Sequence, residues 1–228
     1  MSNEPLADVR DMYMAHTMFR REIGLASALI RGVADGDVER AAIVADHMQL
    51  VDTVLHHHHE GEDEHLWHRL LDRAGADAEP VVQVMAEQHG AIDKLLDEVR
   101  TELALWRDSA DPVQGEALAE SVTRLHERLV EHLAVEEEKA LPLIGKHITA
   151  AEWGQMIAAS AADVAPERMP LIFGLMAYEA DPGTVRDIVA SMPPEVGSVI
   201  GDLAAEAFVA HAQRVHGTAT PERVGGAQ

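Results

Sequence analysis

Two His-x-x-x-Glu pairs, His58 with Glu62 and His132 with Glu136, constrain this chain more than any other feature. Both lie in long runs of helical apolar periodicity. A helix turns once per about 3.6 residues, so positions i and i+4 point the same way, one turn apart. Each pair therefore offers an imidazole nitrogen and a carboxylate to one point. His16 and His89 fall on the apolar stripes of two further expected helices. Burying a carboxylate on such a stripe is costly unless it is paired or holds a metal. The basic residues are too few and too peripheral to neutralise Glu62 and Glu136. Four helices that turn four imidazoles and two carboxylates inward supply the donors that two iron ions in a helical bundle require.

The periodicity predicts where those helices run. The first spans about 8–34, with Val9, Met12, His16, Phe19 and Ile23 on one face. The second spans about 37–74, with Ile43, Leu50, Val54, His58, Glu62 and Leu66 as its stripe, closed by Gly75. The third spans about 80–108 and carries Val82, Met85, His89, Ile92, Leu96, Val99, Leu103 and Trp106. The fourth spans about 112–141 and carries Val122, Leu125, Leu129, His132 and Glu136. Pro142 lacks an amide hydrogen and is expected to kink or end it. Short links between long helices give an up-down-up-down four-helix bundle over residues 1–148. Residues 149–217 read as three or four shorter helices broken by Pro and Gly, without a metal motif. The tail from 218 to 228 is expected to be disordered.

Composition removes several alternatives. The chain has no Cys, which excludes disulfides, thiolate nucleophiles, iron–sulfur clusters and Cys-type zinc sites. Any metal must be held by His and carboxylate. A formal net charge of -22 argues against nucleic acid and anionic membrane surfaces as partners. No apolar run reaches the ~18 residues of a membrane span. The opening residues show no basic stretch followed by an apolar one, so a cytoplasmic location is expected.

Most of the 14 histidines are not expected at the centre. His56, His57 and His59 point about 100° or 200° away from His58 around the helix and should face solvent or a neighbour. His47 shares the stripe of His58 but lies about 16 Å earlier along the axis, too far to ligate the same pair. His65 and Tyr13 share faces with His58 and His16. They are candidates for supporting roles, Tyr13 as a hydrogen-bond donor to a bound oxygen species. His68, His126, His147, His211 and His216 read as surface or packing residues.

The stretches "AHTMFRRE", "LHHHHEGEDEHLWHRLL", "AEQHGAIDKLL" and "RLVEHLAVEEEKALPLI" resemble the hemerythrin-like, HHE cation-binding domain over about residues 8–145. That resemblance implies two non-haem iron ions, oxo- or hydroxo-bridged, with His16, His58, Glu62, His89, His132 and Glu136 at the family's ligand positions. It also shows a departure. Oxygen-carrying hemerythrins place two His one turn apart in the third helix. Here Met85 precedes His89 by one turn and Asp93 follows it, so one iron has one imidazole fewer or takes Asp93 instead. The carriers' last ligand is also an Asp five residues after its His, where this chain has Glu136 at four.

The expected function is binding or turnover of small oxygen or nitrogen oxide ligands: hydrogen peroxide, oxygen or nitric oxide. A peroxide-decomposing activity is one form of it. The alternative is an iron, oxygen or redox sensor whose C-terminal helices dock a protein partner or form a homodimer. Iron storage of the ferritin type fits less well, because those sites use Glu-x-x-His, with the carboxylate first and a three-residue step.

Overall fold

A computed structural model describes residues 4–162 and 164–224. Eleven α-helices occur among the described residues: α1 (Arg10–Arg31), α2 (Val38–His65), α3 (Trp67–Ala74), α4 (Glu79–Arg107), α5 (Pro112–Val135), α6 (Leu141–His147), α7 (Ala150–Ser160), α8 (Met169–Ala177), α9 (Pro182–Ser191), α10 (Pro194–Gly197) and α11 (Ile200–His216). The long helices α1, α2, α4 and α5 form the bundle, each packed against the next around the ring and α5 against α1. Asp37 caps α2 by accepting from the Arg40 amide, and Asp111 caps α5 by accepting from the Val113 and Gln114 amides. The bundle interior is filled by Phe19, Leu55, Ile92, Trp106, Leu118 and Leu129, all essentially without exposure.

The expected second helix is divided. Leu66 separates α2 from α3 and lies buried with Trp67 and Leu70. The fourth is interrupted differently. Residues Glu136–Ala140 form a π-turn, and the helix resumes as α6 straight through Pro142. A proline ring clashes with the carbonyl four residues back, and a π-turn is one way to absorb that clash without ending the helix.

The extension lies against the bundle. Trp153 and Met156 of α7 join a core with Met12, Leu66 and Leu141. Ile172, Leu175, Phe208 and Ala212 of α8 and α11 join the main bundle core. Arg40 at the start of α2 donates to the carbonyls of Arg214 and Val215 at the end of α11. The extension contains one more α-helical segment than expected, because α10 forms as a single turn after Pro193. Along the expected tail, the Tyr178 hydroxyl donates to the Pro221 carbonyl at 2.9 Å, and Arg223 lies over the Tyr178 ring. Residues 225–228 lie outside the described residues. No helix among the described residues is long and apolar enough to cross a membrane.

Candidate metal centre

Each of the four bundle helices turns donors into the interior at one level. His16 on α1, Glu62 on α2, His89 on α4, His132 on α5 and Glu136 at the start of the π-turn are all buried, and the His58 side chain is 10% exposed. All six residues read from the sequence come together. Glu136 Oε2 lies 3.3 Å from His16 Nε2 and 3.5 Å from His132 Nε2. Glu62 Oε1 lies 3.3 Å from His58 Nε2, and its Oε2 lies 3.4 Å from His89 Nε2. Donor atoms about 2.0–2.2 Å from one cation lie roughly 3–3.5 Å from each other. The four separations match that requirement.

A seventh donor comes from a residue expected elsewhere. His59 is 4% exposed, and its nitrogen lies within 4.8 Å of donor atoms of His89 and His132. A second group joins His16, His58 and Glu136, and a third joins Glu62, His132 and Glu136. The expectation that His59 faces away fails because the buried arc of α2 is wide. Its buried face runs through Val44, Val51, Leu55, His59, Glu62 and Leu66, while Ile43 and Val54 lie at its edge. That phase was readable in the sequence: Val51 and Leu55 precede His59 at helical spacing. His56 is exposed and His57 partly so, as expected.

Asp93, in contrast, is exposed on α4, and Met85 is buried in the core with Trp67 and Leu70. His59 of α2 brings a further imidazole beside His89 instead. His65 is also away from the cluster, with its Nε2 4.0 Å from Glu64. Tyr13 is half-buried and close enough that, after burial itself, the charges of Glu137 and Glu136 push its hydroxyl pKa up.

The orientation of the rings is set by Asp63, Glu137 and Gln88, each next in the chain to one of the clustered residues. Asp63 Oδ1 lies 2.9 Å from His89 Nδ1 and also accepts from Trp67 Nε1 at 2.8 Å. Glu137 Oε1 lies 2.9 Å from His16 Nδ1 and accepts from Arg20. Gln88 Oε1 lies 3.1 Å from His132 Nδ1. An acceptor at Nδ1 makes that nitrogen the donor and leaves the Nε2 lone pair free for a metal.

Those lone pairs have nowhere else to go. The Nε2 atoms of His16, His58, His89 and His132, both nitrogens of His59, and both oxygens of Glu62 and Glu136 are buried without a hydrogen bond. Buried polar atoms are nearly always satisfied, so a cluster of orphans of complementary type is the signature of a ligand set. The electrostatics agree. Burial, and then the charge of Glu136, push Glu62 up to about 8. For Glu136 the burial cost is outweighed by His16, which holds the carboxyl below the usual range. Burial is likewise outweighed at His16, raised to about 9 by Glu136 and Glu137, and at His89, raised to about 10 by Asp63 and Glu62. Burial lowers His58 to about 3 and His132 to about 4. So dense a group of buried titratable side chains is costly unless cations share it. The donors, imidazole and carboxylate in a dry bundle core, fit bound metal cations.

Helices that close on buried imidazoles and carboxylates define a metal-binding bundle. The family model described as the hemerythrin HHE cation binding domain matches residues 7–144, and the chain belongs to that family. Comparisons with curated proteins and with solved structures each gave no match.

Proposed function

We propose that this protein is a non-haem di-iron protein that binds or turns over hydrogen peroxide, oxygen or nitric oxide. The observation that carries this reading is the set of orphaned donors grouped around two buried carboxylates. His59, His89 and His132 would hold one iron, and His16 and His58 the other, with Glu62 and Glu136 between them. Iron held there supplies one-electron steps between the ferrous and ferric states and a position for a small ligand.

The chain's own residues decide where that ligand arrives. The His16 and His58 side has fewer imidazoles than the His59 side. His58 also lines an apolar cavity of about 190 Å³ between α1 and α2 on one side and α7 and α8 on the other. Phe19, Met156, Ala161 and Ile172 line it, and they favour small uncharged species over ions. Glu62 and Glu136 balance charge, and Asp63, Glu137 and Gln88 hold the rings in register.

The test is anaerobic iron loading, elemental analysis, and optical spectra with peroxide, oxygen and nitric oxide added separately. Iron near two per chain and a spectral response to at least one ligand are expected. One iron per chain, or uptake unchanged in a Glu62→Ala, Glu136→Ala double variant, overturns the reading.

The sensor reading is favoured by one contact. Gly61, next to Glu62, faces Ser160 of α7 so closely that a Cβ there would collide with the Ser160 hydroxyl. A ligand-bearing turn thus touches the extension directly. A change in protease sensitivity of the extension on iron loading, without turnover, supports this second use.

A further inference from the structure

Away from the centre, three side chains that the sequence left in separate places converge. Glu22 of α1, His47 of α2 and His216 at the end of α11 bring donor atoms within 4.8 Å of one another. Glu22 Oε2 is 3.2 Å from His47 Nε2 and 3.2 Å from His216 Nε2. The side chains of Glu22, His47 and His216 are 0%, 1% and 6% exposed. We propose that Glu22, His47 and His216 form a second metal site, for one divalent cation of the zinc class, which fastens the last helix to the bundle.

Several features support a cation over a simple hydrogen-bonded cluster. His47 Nε2 is buried and has no hydrogen-bond partner, although a carboxylate oxygen lies beside it. His47 Nδ1 lies 3.0 Å from His211 Nε2. When His211 accepts there, His47 presents a bare Nε2 lone pair to Glu22 Oε2, which His216 Nε2 also meets at 3.2 Å, and a cation bound among the three would satisfy them together. Glu22 is held in place from behind: its Oε1 accepts from Arg21 Nε at 2.6 Å. Arg21 is itself pinned by the Leu175 carbonyl and Glu179. Two imidazoles and a carboxylate with 3.2 Å between neighbouring donors match a cation bound at about 2.0–2.2 Å.

The site is also separate and reachable. His47 precedes His58 by about 16 Å along α2, so the two sites cannot share an ion. A groove of about 680 Å³ lined by His47, His211 and Arg214 opens beside it and gives water and metal a route. The sequence could not show the site, because its three donors come from helices at opposite ends of the chain.

The test uses the iron-loaded full chain with Zn²⁺ alone as probe. Bound zinc and iron are measured by elemental analysis after equilibrium dialysis, in wild type and in His216→Ala, His216→Gln and His47→Gln variants with unchanged far-ultraviolet circular dichroism. Wild type is expected to hold one zinc per chain more than any of the three variants, with iron equal in all. Zinc affinity of this site should fall at least tenfold in each variant. Zinc should slow hydrogen exchange across residues 200–216 in wild type and leave it unchanged in His216→Ala. If the main centre also takes zinc, the difference of one equivalent persists, because none of these variants touches its donors. Equal zinc uptake in wild type and in the His216 variants overturns the proposal and leaves an imidazole–carboxylate ion pair in its place. So does zinc uptake that differs with no zinc-dependent protection of α11.

Discussion

The rings of His59 and His89 stack with 4.1 Å between centroids and 17° between planes. His132 stands edge-on to both, at 5.1 Å from His59 and 4.8 Å from His89. Because His58 and His59 are consecutive, α2 feeds both donor groups, and Glu62 lies between them on the same helix. One helix therefore sets the spacing of the whole centre.

The stacked pair separates His59 from Asp93 as the completing donor. His59→Ala should reduce iron from about two per chain towards one, while Asp93→Ala should leave it unchanged. The check is iron by elemental analysis against protein concentration. Full iron content in His59→Ala would remove His59 from the ligand set.

Glu62 should change the sign of its effect with metal. Burial and Glu136 raise its pKa to about 8 in the metal-free chain. A raised carboxyl contributes stability that is present at low pH and lost as pH rises through about 8. Metal-free Glu62→Gln should therefore be more stable than metal-free wild type at pH 9, by on the order of a few kcal/mol, with the advantage much smaller at pH 5.5, because the loss runs from the ordinary value of 4.5 up to about 8. Once iron is added the order should reverse, because an amide is a poor replacement for a carboxylate ligand. Thermal melts with and without iron at the two pH values read both signs.

Asp11 gives a pH effect independent of the centre. Burial raises its pKa to about 6, against the opposing hydrogen bond from Trp153 Nε1. Its ionisation costs more in the folded chain than in the unfolded one, so stability falls as pH rises from about 3.8 through about 6. Asp11→Asn keeps an acceptor for Trp153 and should raise the melting temperature at pH 8, with a ceiling of about 3 kcal/mol, and change little at pH 4. A variant that is less stable at pH 8 would show that the charge is needed there.

The apolar cavity beside His58 should control rate without controlling capacity. Ala161→Phe places a ring in it. Stopped-flow mixing of the ferrous form with oxygen or peroxide should give a slower second-order phase, with final amplitude and iron content unchanged. An unchanged rate would mean that ligands arrive by another route.

The bundle helices and six of the clustered residues were legible because periodicity and i, i+4 spacing act within one helix. His59 was misread because a helix covered on two sides, by the bundle and by α7, buries more than one narrow stripe. The true phase through Val51, Leu55 and His59 was nevertheless present in the sequence. Asp63, Glu137 and Gln88 follow no such rule: their roles depend on which ring each happens to meet across a helix interface. His216 and Glu22 meet only because α11 returns to the bundle, a tertiary event that no local pattern encodes.

The π-turn at Glu136–Ala140 amounts to one surplus residue spliced into a helix. It leaves the chain in two reading frames, one that faces His132 inward and another, rotated by about 100°, that faces Leu141 and Ile144 inward. Forcing the same residues into a regular α-helix would turn Leu141 and Ile144 by about 100°, away from the core they share with Trp153 and Leu66, whereas deleting Lys139 would heal the helix and leave both inward. The turn thus works as a phase adapter: it lets the helix of His132 and Glu136 and the helix that packs beside α7 be cut from one continuous rod.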